Sequence, residues 1–244
     1  LSEDVARLKA PAFIRTGWFD LFICDTFSLF EHFRYHAPDE ETRRRTRMII
    51  GPWPHDINNT KYDELDFGDA GKIPDLFEQE QRFLDHHLKG TPDPTPAPIQ
   101  LFVMGANCWR YENEWPLART RWTRLYLAGG GRANTAGGDG LLAERPSGTP
   151  DHFTYDPLNP VPTHGGAWCF TNVGLKDQRE LEKRNDVLVY TSAPLPEPVE
   201  VTGPVSAELY VSSSAPDTDF TVKLVDVAPD GTALGITDGI ARVR

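Results

Sequence analysis

The stretches AFIRTGWFD at Ala12–Asp20 and TRMIIGPWPH at Thr46–His55 share one plan: a short apolar run, a glycine, aromatic residues, and an ionisable side chain. Between them, Phe22–His36 carries apolar residues at helical spacing, and Leu76–Leu88 shows a second apolar stripe that ends before Gly90, a typical helix C-cap. Strand, helix, strand and helix in alternation predict an α/β fold with a parallel sheet.

The character of the sequence changes after Thr91–Pro98 (TPDPTPAP), which has four prolines in eight residues and indicates an extended linker. Short runs of period two, separated by turn residues, predict an all-β sandwich or jelly roll. We therefore expect two domains, residues 1–95 and 99–244. The glycine-rich Ala128–Gly140 is expected to be a surface loop, because no helix follows it that would complete a phosphate site. The predicted strands are Ile99–Met104, Arg124–Leu127, Val187–Tyr190, Ala207–Val211 and Phe220–Val227.

Composition excludes several functions. The 244 residues carry 25 Lys and Arg against 36 Asp and Glu, a net charge of −11, which disfavours binding to nucleic acid. No apolar run is long enough to span a membrane. The three cysteines are too few for a disulfide framework, so we expect reduced and mostly buried thiols. Leu1–Lys9 is expected to be the end of a helix entering a strand, and the chain looks cut from a longer protein. The compartment stays open, with the cytoplasm favoured.

Asp20 and His55 each follow a predicted strand at a sharp turn, where catalytic groups of open α/β sheets gather. Their order is that of the acid and the base in an α/β-hydrolase triad. The alternative is an aspartate that caps the next helix and a histidine bonded within a loop. Trp18, Phe22 and Trp53 flank the two positions, and they could line a substrate pocket or pack in the core.

The histidines offer weaker candidates for a metal site. His32 and His36 are one helical turn apart, with Asp39 and Glu40 nearby, but no second cluster completes a ligand set. The adjacent His86 and His87 are expected to be surface residues. No metal and no cofactor is therefore predicted.

Several motifs together resemble the X-Pro dipeptidyl-peptidase group of serine hydrolases, which includes α-amino-acid ester hydrolases and cocaine esterase-like enzymes. The likeness is closest to the cocaine esterase-like branch and runs through essentially the whole chain. The motifs are G-W-F-D at Gly17–Asp20, G-P-W-P-H at Gly51–His55, L-F-V-M-G at Leu101–Gly105, W-R-Y-E-N-E-W-P at Trp109–Pro116, Y-D-P-L-N-P-V-P-T-H-G-G at Tyr155–Gly166 and V-S-S-S-A-P-D-T-D-F at Val211–Phe220.

This resemblance implies the C-terminal part of an α/β-hydrolase domain followed by an incomplete jelly-roll β-sandwich of the galactose-binding-like type. It implies that Asp20 is the triad acid and His55 the general base of a hydrolase for esters, amides or X-Pro peptides. The nucleophile, on a G-x-S-x-G turn, and an oxyanion-hole tyrosine are expected upstream. None of the eight serines here has glycine at both −2 and +2.

A second hypothesis makes the chain a non-catalytic β-sandwich binding module attached to a degenerate α/β remnant. It predicts that Asp20 and His55 lie apart and that the sandwich has its own ligand groove. Under either hypothesis an open sheet edge makes a homo-oligomer possible.

Overall fold

A computed structural model describes residues 7–62, 65–92, 95–169 and 171–244. The start of the chain, predicted to be a helix end, lies largely outside these residues, as do two positions of the proline-rich linker. The chain forms two compact units. The first contains Leu1–Ala118 and Gly166–Gly174, and the second contains Arg119–Gly165 and Leu175–Arg244.

The first unit is built on a four-stranded mixed sheet whose strands lie side by side in the order Phe13–Gly17, Arg47–Gly51, Ile99–Val103 and Cys108–Glu112. Strands β1 (Phe13–Gly17), β2 (Arg47–Gly51) and β5 (Ile99–Val103) are parallel, as the alternation of strands and helices predicts. Strand β6 (Cys108–Glu112) pairs antiparallel with β5. The run that forms β5, which the sequence assigns to the second domain, thus belongs to the sheet of the first unit.

In the described part of the chain, three α-helices accompany this sheet. Helix α1 (Ile23–Glu31) continues into a π-helical turn over His32–His36, and α2 (Glu40–Arg45) precedes β2. Helix α3 (Leu76–Lys89) ends at Gly90, which adopts the left-handed conformation (φ 74°) expected of a C-cap. Two short strands, β3 (Lys61–Tyr62) and β4 (Leu65–Asp66), form a separate antiparallel pair. Gly68–Gly71 and Leu181–Lys183 form 3₁₀ turns.

The central strand β2 is buried along its whole length, and its side chains alternate between two apolar clusters. Met48 and Ile50 join the cluster that contains Phe30 of α1. Ile49 joins the cluster that contains Leu76 of α3 and Trp53. Burial on both faces is typical of a parallel sheet covered by helices, and it holds the carboxyl ends of β1 and β2 in register.

The second unit is rich in β-structure but forms only small sheets among the described residues. Strand β7 (Tyr126–Ala128) pairs with β8 (Leu141–Ala143), and the long strand β9 (Thr218–Val227) pairs with β10 (Ala233–Val243). Two of the predicted strands form no β-ladder in the described part of the chain. Residues 187–190 make a single β-bridge, and residues 207–211 form neither a strand nor a bridge. A period of two predicts extended backbone, but a ladder also needs a partner strand.

The glycine-rich segment differs in part from the predicted surface loop. Ala133 is fully buried, and its carbonyl accepts a hydrogen bond of 2.8 Å from the Val189 backbone N–H. The Asn134 side-chain amide donates to the backbone oxygens of His152 and Asn185 at 2.9 and 2.8 Å. These contacts anchor the middle of the segment to its own unit.

The cysteine prediction is wrong in one respect. All three thiols are free, but Cys24 and Cys108 are exposed and Cys169 is half-buried, because the first two lie on the outer sides of α1 and β6. Within the described ranges, no helix combines the length and the apolar character needed to cross a bilayer.

Candidate active site

Two turns at the carboxyl ends of β1 and β2 approach each other closely. The Trp18 N–H donates to the Gly51 carbonyl at 2.9 Å, and the Phe19 N–H donates to the Trp53 carbonyl at 3.1 Å. Glycine is required for this approach, because a Cβ atom on Gly17 would lie 1.9 Å from the Trp53 oxygen. The glycines that precede both catalytic candidates therefore have a packing role.

The second turn is fixed by bonds to its buried side. The indole N–H of Trp53 donates to the Gly71 carbonyl at 2.8 Å, and the Tyr62 hydroxyl donates to the Pro52 carbonyl at 2.9 Å. Burial raises the pKa of Tyr62, so its hydroxyl keeps the donated proton throughout the physiological pH range. The segment that carries His55 is thus held at two points.

These turns bring the side chains of Asp20 and His55 together. The His55 Nδ1 atom lies 3.3 Å from Asp20 Oδ1, which also accepts the Phe22 backbone N–H at 2.9 Å. A carboxylate only accepts hydrogen bonds, so Nδ1 is the donor and the lone pair of a neutral ring resides on Nε2. At 3.3 Å the contact is at the long end of the hydrogen-bond range.

The two groups differ in exposure. The Asp20 side chain is 7% exposed, whereas the His55 side chain is 50% exposed. A buried acceptor behind an accessible imidazole can orient the ring and stabilise it when it gains a proton, while the outer nitrogen accepts that proton. Geometrically, the pair can act as an acid that positions a general base.

The three aromatic candidates lie in different environments. Trp53 is fully buried in the core, and Trp18 stacks on Phe27 at 6.1 Å with its indole N–H bonded to the Phe102 carbonyl. Both placements favour packing over a substrate pocket. Phe22 is 50% exposed, and its ring packs edge-on against the His55 ring at 5.6 Å.

A segment distant in sequence, which no local pattern predicts, returns to this site. Residues Gly166–Gly174 belong to the first unit, and the Trp168 N–H donates to the Phe19 carbonyl at 3.0 Å, one residue before Asp20. The Trp168 side chain is exposed. Nothing local to the segment indicates this contact, since it joins residues far apart in the chain.

Among the described residues, the weak metal candidates His32 and His36 form no group with Asp39 and Glu40 whose ligand atoms could hold an ion. The rings of His32 and His36 are 6.4 Å apart between centroids. Asp39 is the N-cap of α2 instead: its carboxylate accepts the Thr42 N–H at 2.9 Å and the Thr42 hydroxyl at 2.7 Å. These hydrogen bonds lower the pKa of Asp39. The carboxylate is therefore engaged in helix capping.

The second unit contains an open polar cleft of ≈ 600 Å³. Several of its lining groups already bond to one another. Arg184, for example, is paired with Asp186 at 2.6 Å and also donates to the Asn159 carbonyl at 2.6 Å. The cleft is lined by Asn134, His152, Phe153, Thr154, Asp156, Asn159, Lys183, Arg184, Asn185 and Asp186.

Comparisons with known proteins agree with the motifs. The chain is 43% identical over its whole length to the cocaine esterase of Rhodococcus sp. (strain MB1 Bresler), of which it covers 43%. An aminopeptidase from a marine-sediment Thaumarchaeota archaeon matches with a TM-score of 0.74 at 26% identity, over 98% of this chain and 42% of that one. An α-amino acid ester hydrolase has a TM-score of 0.70 at 24% identity, over 99% and 42% of the two chains, which shows a shared fold.

The chain thus spans less than half the length of these relatives. Residues 93–244 match the profile of the X-Pro dipeptidyl-peptidase C-terminal non-catalytic domain. The profile begins in the proline-rich linker, whereas the first compact unit extends to Ala118. This match covers more than half of the chain, so the chain belongs to the family of the X-Pro dipeptidyl-peptidase C-terminal non-catalytic domain.

Proposed function

We propose that this chain supplies the acid, Asp20, and the general base, His55, of a serine-hydrolase triad. The observation that carries the proposal is the 3.3 Å contact between His55 Nδ1 and Asp20 Oδ1 at adjacent ends of two parallel strands. The additional bond from the Phe22 N–H holds the carboxylate in place. The second hypothesis, which predicted that the two side chains lie apart, has no such support.

In this mechanism His55 Nε2 takes the hydroxyl proton of a serine as the serine oxygen attacks the substrate carbonyl. The resulting imidazolium gives that proton to the leaving alcohol or amine as the tetrahedral intermediate collapses to an acyl-enzyme. Water then repeats the sequence, losing a proton to His55 and releasing the acid and the free serine. No serine of this sequence has the G-x-S-x-G pattern, so the nucleophile belongs to another part of the intact protein.

The proposed substrates are small molecules with an ester bond. The relative with 43% identity is named an esterase, which supports esters over X-Pro peptides and other amides. The exposed Phe22 ring beside His55 would give the acyl group an apolar surface.

The test uses the intact protein, a fluorophosphonate probe and a panel of nitrophenyl esters and X-Pro anilides. His55→Ala should abolish turnover, and Asp20→Asn should lower kcat by about four orders of magnitude, because the imidazole then loses its orienting acceptor. Asp56→Asn is the matched control, since this exposed carboxylate adjoins His55 in sequence and should leave kcat unchanged. Full activity of Asp20→Asn would refute the assignment.

For the second unit we propose a jelly roll of the galactose-binding-like type. The long antiparallel pair β9–β10 supports a β-sandwich domain. The polar cleft supports a ligand-binding role for this unit alongside catalysis. Because an open strand edge can pair with a second copy of the chain, a homo-oligomer remains our prediction. Size-exclusion chromatography with light scattering tests the oligomer, and a monomer at all concentrations would contradict it.

A further inference from the structure

A cluster of metal-ligating side chains lies between two helices of the first unit. Glu41 comes from α2, and His86 and His87 come from the last turn of α3. Their candidate ligand atoms all lie within 4.8 Å of one another. Glu41 is exposed and both histidines are half-buried, so an ion could reach the cluster from solvent.

The His86 ring is already oriented as a ligand would be. Its Nδ1 atom lies 2.6 Å from the backbone oxygen of Thr91. Because a carbonyl oxygen only accepts, Nδ1 carries the proton and the Nε2 lone pair is free to bind an ion. Metal-binding histidines typically donate their other N–H to a carbonyl or carboxylate in this way.

The second imidazole is positioned by aromatic packing. The His87 ring lies edge-on to the largely buried Phe83 ring at 4.6 Å, and the rings of His86 and His87 are 4.8 Å apart. Neighbouring residues of a helix usually diverge, so the sequence alone predicted two separate surface histidines. The packing instead places both rings at one end of α3.

Glu41 supplies the negative charge. Arg44 and Arg45 donate to its two oxygens at 2.9 and 3.2 Å, so both oxygens act as hydrogen-bond acceptors. Each oxygen accepts one hydrogen bond and keeps a further lone pair for an ion.

We propose that Glu41, His86 and His87 bind a divalent transition-metal ion of the Zn²⁺ type. Two imidazoles and a carboxylate suit Zn²⁺, Ni²⁺ or Cu²⁺, whereas Mg²⁺ and Ca²⁺ require more oxygen ligands. Around Zn²⁺ the ligand atoms would be about 3.4 Å apart, which is closer than the 4.8 Å within which the candidate atoms lie, so the side chains must move together when the ion binds. Water would complete the tetrahedron, and the ion would link α2 to α3.

The experiment is a calorimetric titration of Zn²⁺ into the intact protein after treatment with EDTA and dialysis. We expect one ion to bind in the micromolar range. Glu41→Gln, His86→Gln and His87→Gln should each weaken binding by at least about tenfold. The matched controls Glu40→Gln, in the same helix, and His164→Gln, in the other unit, should leave the affinity unchanged.

Thermal unfolding gives a second readout, because an ion that binds only the folded state raises the unfolding temperature. Zn²⁺ should raise it for the wild type and the two controls, but not for the three ligand variants, whose folding in EDTA is checked by circular dichroism. No binding at millimolar Zn²⁺ would overturn the proposal. The proposal would also be overturned if Zn²⁺ still bound to Glu41→Gln and His86→Gln but no longer bound to Cys24→Ser or Cys108→Ser. That result would assign the ion to the exposed thiols.

Discussion

Replacing Gly17 with alanine should separate the two turns that carry Asp20 and His55. The new Cβ atom would lie 1.9 Å from the Trp53 oxygen, and a real Cβ atom keeps at least 3.0 Å from such an atom. The contact must therefore lengthen by about 1.1 Å, the difference between these two distances. The obstacle is backbone, so no side-chain rotation can relieve it.

This displacement has a cost that can be worked out from the contacts. The bonds from the Trp18 and Phe19 N–H groups, at 2.9 and 3.1 Å, would lengthen beyond bonding distance. Each is worth about 1 kcal/mol, and overpacking costs about 1–3 kcal/mol more. The free energy of unfolding should thus fall by about 3–5 kcal/mol, and the unfolding temperature by on the order of 10 °C.

Catalysis should fall as well if the proposed function holds. The contact between Asp20 and His55 is already 3.3 Å long, and a misplacement of about 1 Å in a catalytic group can lower the rate by about 100-fold. The assay is thermal unfolding by circular dichroism together with ester turnover of the intact protein.

Gly239→Ala is the matched control, because a Cβ atom there would meet nothing within 4 Å. It should change the free energy of unfolding by less than about 0.5 kcal/mol. If Gly17→Ala unfolds at the wild-type temperature and turns over ester at the wild-type rate, the close approach of the two turns is not the feature that organises the site.

Three further variants test separate features. Phe22→Ala should lower kcat/KM for aromatic esters by about tenfold, because the ring lies beside His55. The unfolding temperature should change little, because the ring is 50% exposed. Equal losses of kcat/KM for all esters would argue against a role of Phe22 in a substrate pocket. Asp39→Ala removes the cap that holds the Thr42 N–H and should lower the unfolding temperature. In the folded state the pKa of Asp39 is below its ordinary 3.8. The difference in unfolding temperature between the wild type and Asp39→Ala should therefore be present above pH 3.8 and disappear as the pH falls further. Gln178 is only 2% exposed, and its side-chain amide donates to two backbone carbonyls. Gln178→Ala should lower the free energy of unfolding, measured by chemical denaturation, by about 2–4 kcal/mol. A loss below about 0.5 kcal/mol would show that these bonds do not stabilise the fold.

The parallel part of the fold was predictable because its signals are local. The apolar runs that became β1 and β2, and the helical spacing that became α1 and α3, depend only on neighbours along the chain. The capping glycine of α3 is likewise a local signal. The β-rich region was harder, since a period-two run such as residues 207–211 cannot reveal whether a partner strand pairs with it.

For the candidate site, the sequence by itself determined that Asp20 and His55 follow strands in the order of a hydrolase acid and base. Both belong to short motifs, and adjacent parallel strands bring their carboxyl ends to one edge. Only the tertiary structure decided that Trp53 packs in the core while Phe22 faces the histidine. Contacts with residues distant in sequence, such as Gly71, determine which side of a turn is buried. The same reason explains why the cluster of Glu41, His86 and His87 emerged only in the tertiary structure: its ligands come from two helices, and no spacing along the chain records their proximity.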